Sequence, residues 1–267
     1  MTLYMIGIGL GTPKDVTVKG LEIIKTSKKV FLEHYTSIQK LSKQNYEDFF
    51  EKEIIIADRN LVEKQAQKIL EHAKKHDISF LVVGDVFQAT THTDLYLRAK
   101  KQDIPVKIIP NAGIMNVASH SGLQLYKFGK TTSIVFDDDG WLPKTPYETI
   151  KQNQQRGLHT LCLLDIKVAE PTKQNLRKGI NKPAPPRYMT IKQAIRILEK
   201  LEKKQKQKII TPNTKLVGLA RMGTDNYMKY GKLPEIKKHD FKKPLHTLII
   251  IGKTDEIEEE MLNTLTI

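Results

Sequence analysis

Short apolar runs alternate with helix-spaced stretches through the first 110 residues, and this alternation constrains the fold more than any other feature of the chain. "LYMIGIGL", "KKVFLEHYTS", "ISFLVVGDVF" and "PVKIIP" read as strands, with "DVTVKGLEIIKTS", residues 59–75 and "HTDLYLRAKK" between them as helices. Val18, Leu21 and Ile24 recur at helical spacing behind a cap at Asp15 or Thr17. Leu61, Val62, Ile69, Leu70 and Ala73 mark one amphipathic face of the second helix. Strands separated by helices require crossover connections, so the pattern predicts an α/β domain on a mostly parallel sheet.

Pro110 punctuates this pattern, and the texture then changes. "NAGIMNVASHSGLQLY" reads as a helix capped by Asn111, "TTSIVF" as a strand, "DDDGWLPKTP" as a loop and "GLHTLCLLDI" as a strand. The Pro-rich "NKPAPPRYM" continues no element. A strong helix, "IKQAIRILEKLEKK", carries Ile191, Ala194, Ile195, Leu198 and Leu201 on one face. "TKLVGLARMG" and "PLHTLIIIGK" complete a second, mixed sheet, and "DEIEEEMLNTL" closes as a helix. The expectation is two α/β domains, residues 1–110 and 111–267, in a chain of 267 residues.

Charge and composition narrow the function classes. The net charge is +14, yet only seven of the 44 basic residues are arginine and the lysines are spread. A solvated lysine-rich surface fits this better than a specific nucleic-acid reader, which leans on arginine. No apolar run approaches the ~18 residues of a membrane span, so no membrane contact is expected. The opening residues read as the first strand of a cytosolic protein rather than a targeting segment. A single cysteine, Cys162, excludes an intrachain disulfide and a multi-cysteine metal site, and mid-strand it reads as a small buried hydrophobe.

Two segments invite chemistry. In "MIGIGLGTPKDVT" the glycines Gly7, Gly9 and Gly11 follow a strand. The dinucleotide fingerprint Gly-x-Gly-x-x-Gly fails on spacing, although Glu33 stands at about the right distance for its acidic partner. A tight turn is the plainer reading of the glycines. In "VVGDVFQATTHTDL" Asp85 follows a buried strand, at the carboxyl edge where open α/β sheets bind ligands. His92 stands near the start of the next helix, behind threonines that would also serve as caps. His246, just before an apolar strand, is more often a satisfied core residue than a ligand. His72 and His76 read as surface residues, Asp137 to Asp139 as a solvated loop, and no metal site is expected.

Several segments in order carry a resemblance across nearly the whole chain. They are "LYMIGIGLGTPKDVTVKGLEIIKTSKKVFLEHYTS", "GDVFQATTHTDL", "NAGIMNVASHSGLQLYKFGKTTSIVF", "GLHTLCLLDIKV", "RYMTIKQA", "VGLARMGT" and "PLHTLII". Together they resemble the diphthine synthase family, in its eukaryotic branch of diphthine methyl ester synthases. The resemblance implies two α/β domains of the tetrapyrrole methylase type, with S-adenosyl-L-methionine in the interdomain cleft and S-adenosyl-L-homocysteine as product. It further implies a cytoplasmic homodimer whose substrate is a 3-amino-3-carboxypropyl-histidine on translation elongation factor 2. The amine would be methylated three times and a carboxylate once, in diphthamide biosynthesis.

Carried over, the family's cofactor contacts fall on Leu10, Asp85, Gln88, Gly113, Ile114, Leu164, Met222 and His246. The chain departs from the family at Val86 and Gln88, where Gly-Asp-Pro-Phe-Gly-Ala is usual, and at Gly113, where serine is common. Asp137 stands where tryptophan is frequent, and Lys242 and Lys243 where glycines are. Gln88 brings a longer side chain to the cofactor edge, with binding expected to survive through some rearrangement. Methyl transfer from a sulfonium needs alignment more than acid–base apparatus, so no catalytic side chain is assigned, His92 being a weak candidate proton acceptor. Gly9→Val is expected to weaken cofactor binding or turnover and leave the fold largely intact. The competing readings are a small-molecule or tetrapyrrole methylase of the same fold, and a non-catalytic protein that binds ribosomal partners.

Overall fold

The computed structural model describes residues 1–38, 41–168 and 184–267. Packing divides it into two units, one holding Met1–Ile114 and the other Met115–Lys167 and Pro186–Ile267. Val168 packs with the apolar side chains of the first unit. The start of the Pro-rich stretch, 181–183, lies outside the described residues.

The first unit is a five-stranded parallel sheet of β1 (Leu3–Gly7), β2 (Lys29–Glu33), β3 (Ile54–Ala57), β4 (Ile78–Val82) and β5 (Val106–Ile109). The order is β3-β2-β4-β1-β5. Its strands are near-continuously apolar because both faces are covered. Leu3, Met5, Phe31, Ile78, Phe80 and Val82 enter one core and Ile6, Val30, Leu32 and Leu81 the other, the two-residue period of a strand. Each such large side chain contributes about 1.5–3 kcal/mol on full burial. The helix Val18–Thr26 starts at Thr17, whose hydroxyl accepts from Gly20 N–H at 3.0 Å.

Four elements differ from the sequence reading, three in this unit and one that begins at Ile114 and continues into the second. Residues 59–75 are two pieces: a wide turn, Asn60–Lys64, closed by Gln65 N–H on Asn60 O at 3.0 Å, then the helix Gln67–Lys75. Apolar spacing does not register this change of pitch, because Val62, Ala66, Ile69 and Leu70 are buried in either form. The helix Lys43–Phe50 and strand β3 were not read in advance. Past Pro110 there is only a short helix, Ile114–Val117, and a tighter turn, Ala118–Ser121. Asn111 is not a cap there, since its amide donates to Gly7 O and to Asp15 O, both at 3.0 Å.

The second unit carries a mixed sheet of β6 (Thr132–Ile134), β7 (Thr160–Leu164), β10 (Lys215–Ala220), β11 (Tyr227–Lys232) and β12 (His246–Ile250). The order is β11-β10-β12-β7-β6, antiparallel except for the β6–β7 pair. A small ribbon pairs β8 (Ile166–Lys167) with β9 (Arg187–Tyr188). The helix Ile191–Gln205 lays Ile191, Ala194, Ile195, Leu198 and Leu201 into the core, as its spacing predicts. The helix Thr145–Gln155 has few apolar residues and gave no such signal. Cys162 is fully buried, and burial pushes its thiol pKa up.

Charged side chains pin the rest of this unit. Glu258 is fully buried, yet its carboxylate accepts from Gln124 N–H (2.9 Å), Asp255 N–H (3.1 Å), the Lys127 ammonium and His159 Nε2 (3.2 Å). His159 Nδ1 accepts from Gly252 N–H at 2.9 Å, which places the ring proton on Nε2. Burial acts to raise the Glu258 pKa, but these donors outweigh it and hold the carboxyl below its usual range. Asp138 takes Lys167 at 2.8 Å and Arg187 at 3.0 Å, while Asp137 pairs with Lys200. Those two carboxylates are therefore ion-pair partners rather than a plain solvated loop.

Candidate functional site

Neighbouring strands β1 and β4 send their chains in opposite directions along the first sheet, β1 toward β2 and β4 toward β5. Such a reversal opens a crevice at the carboxyl edge. The glycines of "MIGIGLG" lie there. Gly9 and Gly84 bridge each other, with Gly9 N–H on Gly84 O at 3.2 Å and Gly84 N–H on Gly9 O at 2.7 Å. A Cβ on Gly7 would stand 2.6 Å from Gly84 O, so the strands approach closely only because it has none. Gly9 has φ +74°, and a Cβ there would meet Asp15 Cβ at 2.6 Å. The Asp15 carboxylate winds the rest of the turn by accepting from Gly11 N–H (2.7 Å) and Thr12 N–H (3.2 Å). This revises one expectation: with φ +74° and Asp15 Cβ 2.6 Å from an added Cβ, Gly9→Val is expected to disturb the local fold as well as binding.

Asp85 leaves β4 directly into this edge. Its carboxylate accepts from Phe87 N–H at 3.1 Å and Asn111 N–H at 3.2 Å, tying β4 to the segment after β5. A Cβ on Gly84 would lie 3.4 Å from Leu10 Cδ2 and 3.5 Å from Gly113 Cα. Leu10, Gly84 and Gly113 therefore surround one small space. Gln88 folds onto Gly113, where a Cβ would stand 2.4 Å from its Oε1 and 3.1 Å from its Cδ. Ile114 opens the short helix that follows. The structure thus gathers Leu10, Asp85, Gln88, Gly113 and Ile114 at one sheet edge.

Leu164, Met222 and His246 belong to the second unit. Pairing of Ala220 with His246 and of Leu163 with Thr247 puts the end of β7, the start of β12 and the end of β10 at one edge. Leu164 and Met222 are each 8% exposed. His246 accepts Ile191 N–H at Nδ1 (3.4 Å) and donates from Nε2 to Lys243 O (3.0 Å). Burial pushes its pKa down, so the ring is a neutral, satisfied core residue. Arg221, with φ +51°, holds the turn that carries Met222. Its guanidinium donates to Phe241 O (2.7 Å), Lys243 O (2.6 Å) and Asp225 (2.8 Å).

Glu33, the acid at dinucleotide distance, and His92, the weak candidate proton acceptor, take clear form. Glu33 is fully buried and its carboxylate accepts from Tyr35 N–H (2.6 Å), Thr36 N–H (2.6 Å) and the Thr36 hydroxyl (2.8 Å). Burial nonetheless pushes its pKa up, and the carboxyl is absorbed by its own turn rather than offered to a ribose. His92 is fully buried, edge-on to Phe80 at 5.1 Å and to Tyr35 at 6.0 Å between ring centroids. Neither ring nitrogen has a hydrogen-bond partner among the described residues, and burial pushes the pKa down to about 4. Sequence reasoning missed Asn111 and Arg221 as organisers, since an asparagine after a strand and an arginine after another carry no distinguishing local signal.

Comparison with known proteins agrees with this architecture. The family described as Tetrapyrrole (Corrin/Porphyrin) Methylases matches residues 2–194. Diphthine methyl ester synthase of Bos taurus is 50% identical over 99% of this chain and 95% of its own length. A solved structure from Entamoeba histolytica is 42% identical with a TM-score of 0.89, covering 100% of this chain and 98% of its own. A crystal structure of diphthine synthase is 30% identical with a TM-score of 0.85, over 100% of this chain and 96% of its own.

Proposed function

The chain belongs to the diphthine methyl ester synthase family of the tetrapyrrole methylases, and from that premise we propose how its residues serve methyl transfer. It is a methyltransferase of diphthamide biosynthesis. The donor we propose is S-adenosyl-L-methionine, released as S-adenosyl-L-homocysteine. The acceptor we propose is the 3-amino-3-carboxypropyl-histidine of elongation factor 2, taken through trimethylation of the amine and methylation of a carboxylate. The enzyme is proposed to work as a homodimer in the cytoplasm. No described helix is long and apolar enough to cross a membrane.

The observation that carries the donor assignment is the edge around Gly84. Leu10, Gly84 and Gly113 meet there without a Cβ on either glycine, and Asp85 stands beside them. None of Leu10, Asp85, Gln88, Gly113 and Ile114 is basic, so the group suits a ligand with cationic and hydroxyl functions rather than a phosphate. A bound sulfonium donor supplies a methyl group on an excellent leaving group. Asp85 accepts one backbone N–H per oxygen, which leaves lone pairs for an ammonium or hydroxyl. Gly84 lets a ligand approach the backbone and Leu10 covers apolar surface, while over Gly113 the Gln88 carboxamide must swing aside for the ligand. In the second unit, Leu164, Met222 and His246 are the proposed donor-contacting residues. The hydrogen bonds of His246 occupy both its ring nitrogens, so the proposed contact does not use them.

Alignment of methyl, sulfur and acceptor supplies several kcal/mol of the rate. A carboxylate acceptor is already ionised near neutral pH, and an amine must first lose its proton. His92 is neutral with a pKa near 4, which makes it a weak base for an ammonium. A filter assay with radiolabelled S-adenosylmethionine and elongation factor 2 bearing the unmethylated side chain tests the proposal. Label on the factor is the expected result. Label on small molecules alone, or binding without transfer, would overturn it.

A further inference from the structure

A second polar group stands at the carboxyl edge of β3, β2 and β4. Tyr35 follows β2, Arg59 and Glu63 follow β3, and Thr91 and His92 follow β4. The Arg59 guanidinium lies over the Tyr35 ring, 5.2 Å from its centroid. Its Nε stands 3.7 Å from Glu63 Oε1. The Thr91 hydroxyl donates to the same carboxylate at 3.3 Å and lies 3.4 Å from the Tyr35 hydroxyl. Arg59 and Glu63 side chains keep 32% and 38% of their surface, so each is shielded yet reachable. Behind them the Tyr35 ring is buried against His92, whose two nitrogens have no partner among the described residues.

We propose that Tyr35, Arg59, Glu63 and Thr91, backed by His92, form the subsite for the zwitterionic α-amino acid group of the acceptor side chain. The proposal rests on the methyltransferase reading above and names where the acceptor sits. A group with a carboxylate and an ammonium on one carbon needs a cation and an anion side by side with hydroxyls between them. Arg59 supplies a planar fork for the carboxylate, its plane fixed by the tyrosine ring. Glu63 supplies the counter-charge for the ammonium, and the Thr91 hydroxyl bridges to it, with the buried Tyr35 hydroxyl 3.4 Å behind. Position supports the assignment, because the loop that begins with Asp85 and Gln88 ends with Thr91 and His92. One short segment therefore carries proposed donor contacts at one end and acceptor contacts at the other. His92 is a positioning residue here, reaching the acceptor only through Tyr35.

Arg59→Gln and Glu63→Gln test it. Three quantities are measured for each variant and the wild type: the thermal midpoint, the Kd for S-adenosylhomocysteine by calorimetry, and kcat and KM for label transfer to elongation factor 2 bearing the unmethylated side chain. The expected result is an acceptor KM raised about tenfold or more in both variants. The Kd for S-adenosylhomocysteine should stay within about twofold, as a merely structural role would not separate the two ligands. Transfer with an unchanged acceptor KM in both variants would overturn this inference alone. So would loss of S-adenosylhomocysteine affinity in parallel with KM. No transfer by the wild-type chain would overturn the methyltransferase reading and this inference with it.

Discussion

Adding one methyl group to Gly113 should cost stability only while Gln88 is present. An alanine Cβ at 113 would stand 2.4 Å from Gln88 Oε1, 3.1 Å from Cδ and 3.3 Å from Cβ. The oxygen is about 1 Å inside ordinary contact, and the carboxamide must swing away, at about 1–2 kcal/mol. Gly113 has no left-handed backbone, so alanine is otherwise favoured by about 0.4–1 kcal/mol through the unfolded chain. In the wild-type background these effects nearly cancel or leave a net loss. With Gln88→Ala in place the carboxamide clash is gone and only the 3.3 Å approach to the Cβ at 88 remains, so Gly113→Ala should be neutral or stabilising. The unfolded-state contribution drops out of the double-mutant cycle, so the coupling energy should read about 1–2 kcal/mol. Urea denaturation of the four proteins measures it. Calorimetry with S-adenosylhomocysteine then asks whether affinity lost in Gly113→Ala returns in the double variant. Additive effects within about 0.4 kcal/mol would refute the pairing and return Gln88 to an independent intrusion at the edge.

Gly9→Val should destabilise the chain by about 2 kcal/mol or more, from a β-branched residue forced to positive φ and from the approach of Asp15 Cβ; a thermal midpoint equal to wild type would contradict this. His92 makes stability acid-sensitive: its folded pKa of about 4 lies below the ordinary 6.5, so the folded state takes up the proton later than the unfolded chain. Its contribution is present above pH 6.5 and is lost as pH falls through 4, about 3 kcal/mol in all. His92→Leu should hold its stability at pH 7 and lose that much less on acidification, measured by denaturant midpoints across the range. Parallel losses in variant and wild type would rule out the buried neutral imidazole.

Much of the first unit was legible because β-strands write their packing into neighbouring residues. Leu3, Met5 and Ile6 alternate between two cores, and the run of apolar strands and helices predicts a covered parallel sheet. The helix Ile191–Gln205 was equally plain from its apolar stripe. The helix Thr145–Gln155 and strand β11 were not, since their few apolar residues leave no period to read. At the candidate site, local context ranked the glycines and Asp85 as important. The partners of Asn111 were out of reach, lying 104 and 96 residues away in sequence.

The alternation of apolar strands and helices in the first unit, the apolar stripe of Ile191–Gln205 and the need for small residues near the end of β1 follow from sequence alone, because each depends on residues within a few positions. The roles of Gln88, Asn111 and His92 were decided by tertiary structure. Gln88 reads as a bulky departure until the fold sets it against a glycine, and Asn111 reads as a helix cap until two distant carbonyls take its amide. His92 reads as a base until burial beside Phe80 and Tyr35 keeps it neutral. Volume, hydrogen-bond partner and charge state are properties of the surroundings, and the surroundings exist only once distant segments have met.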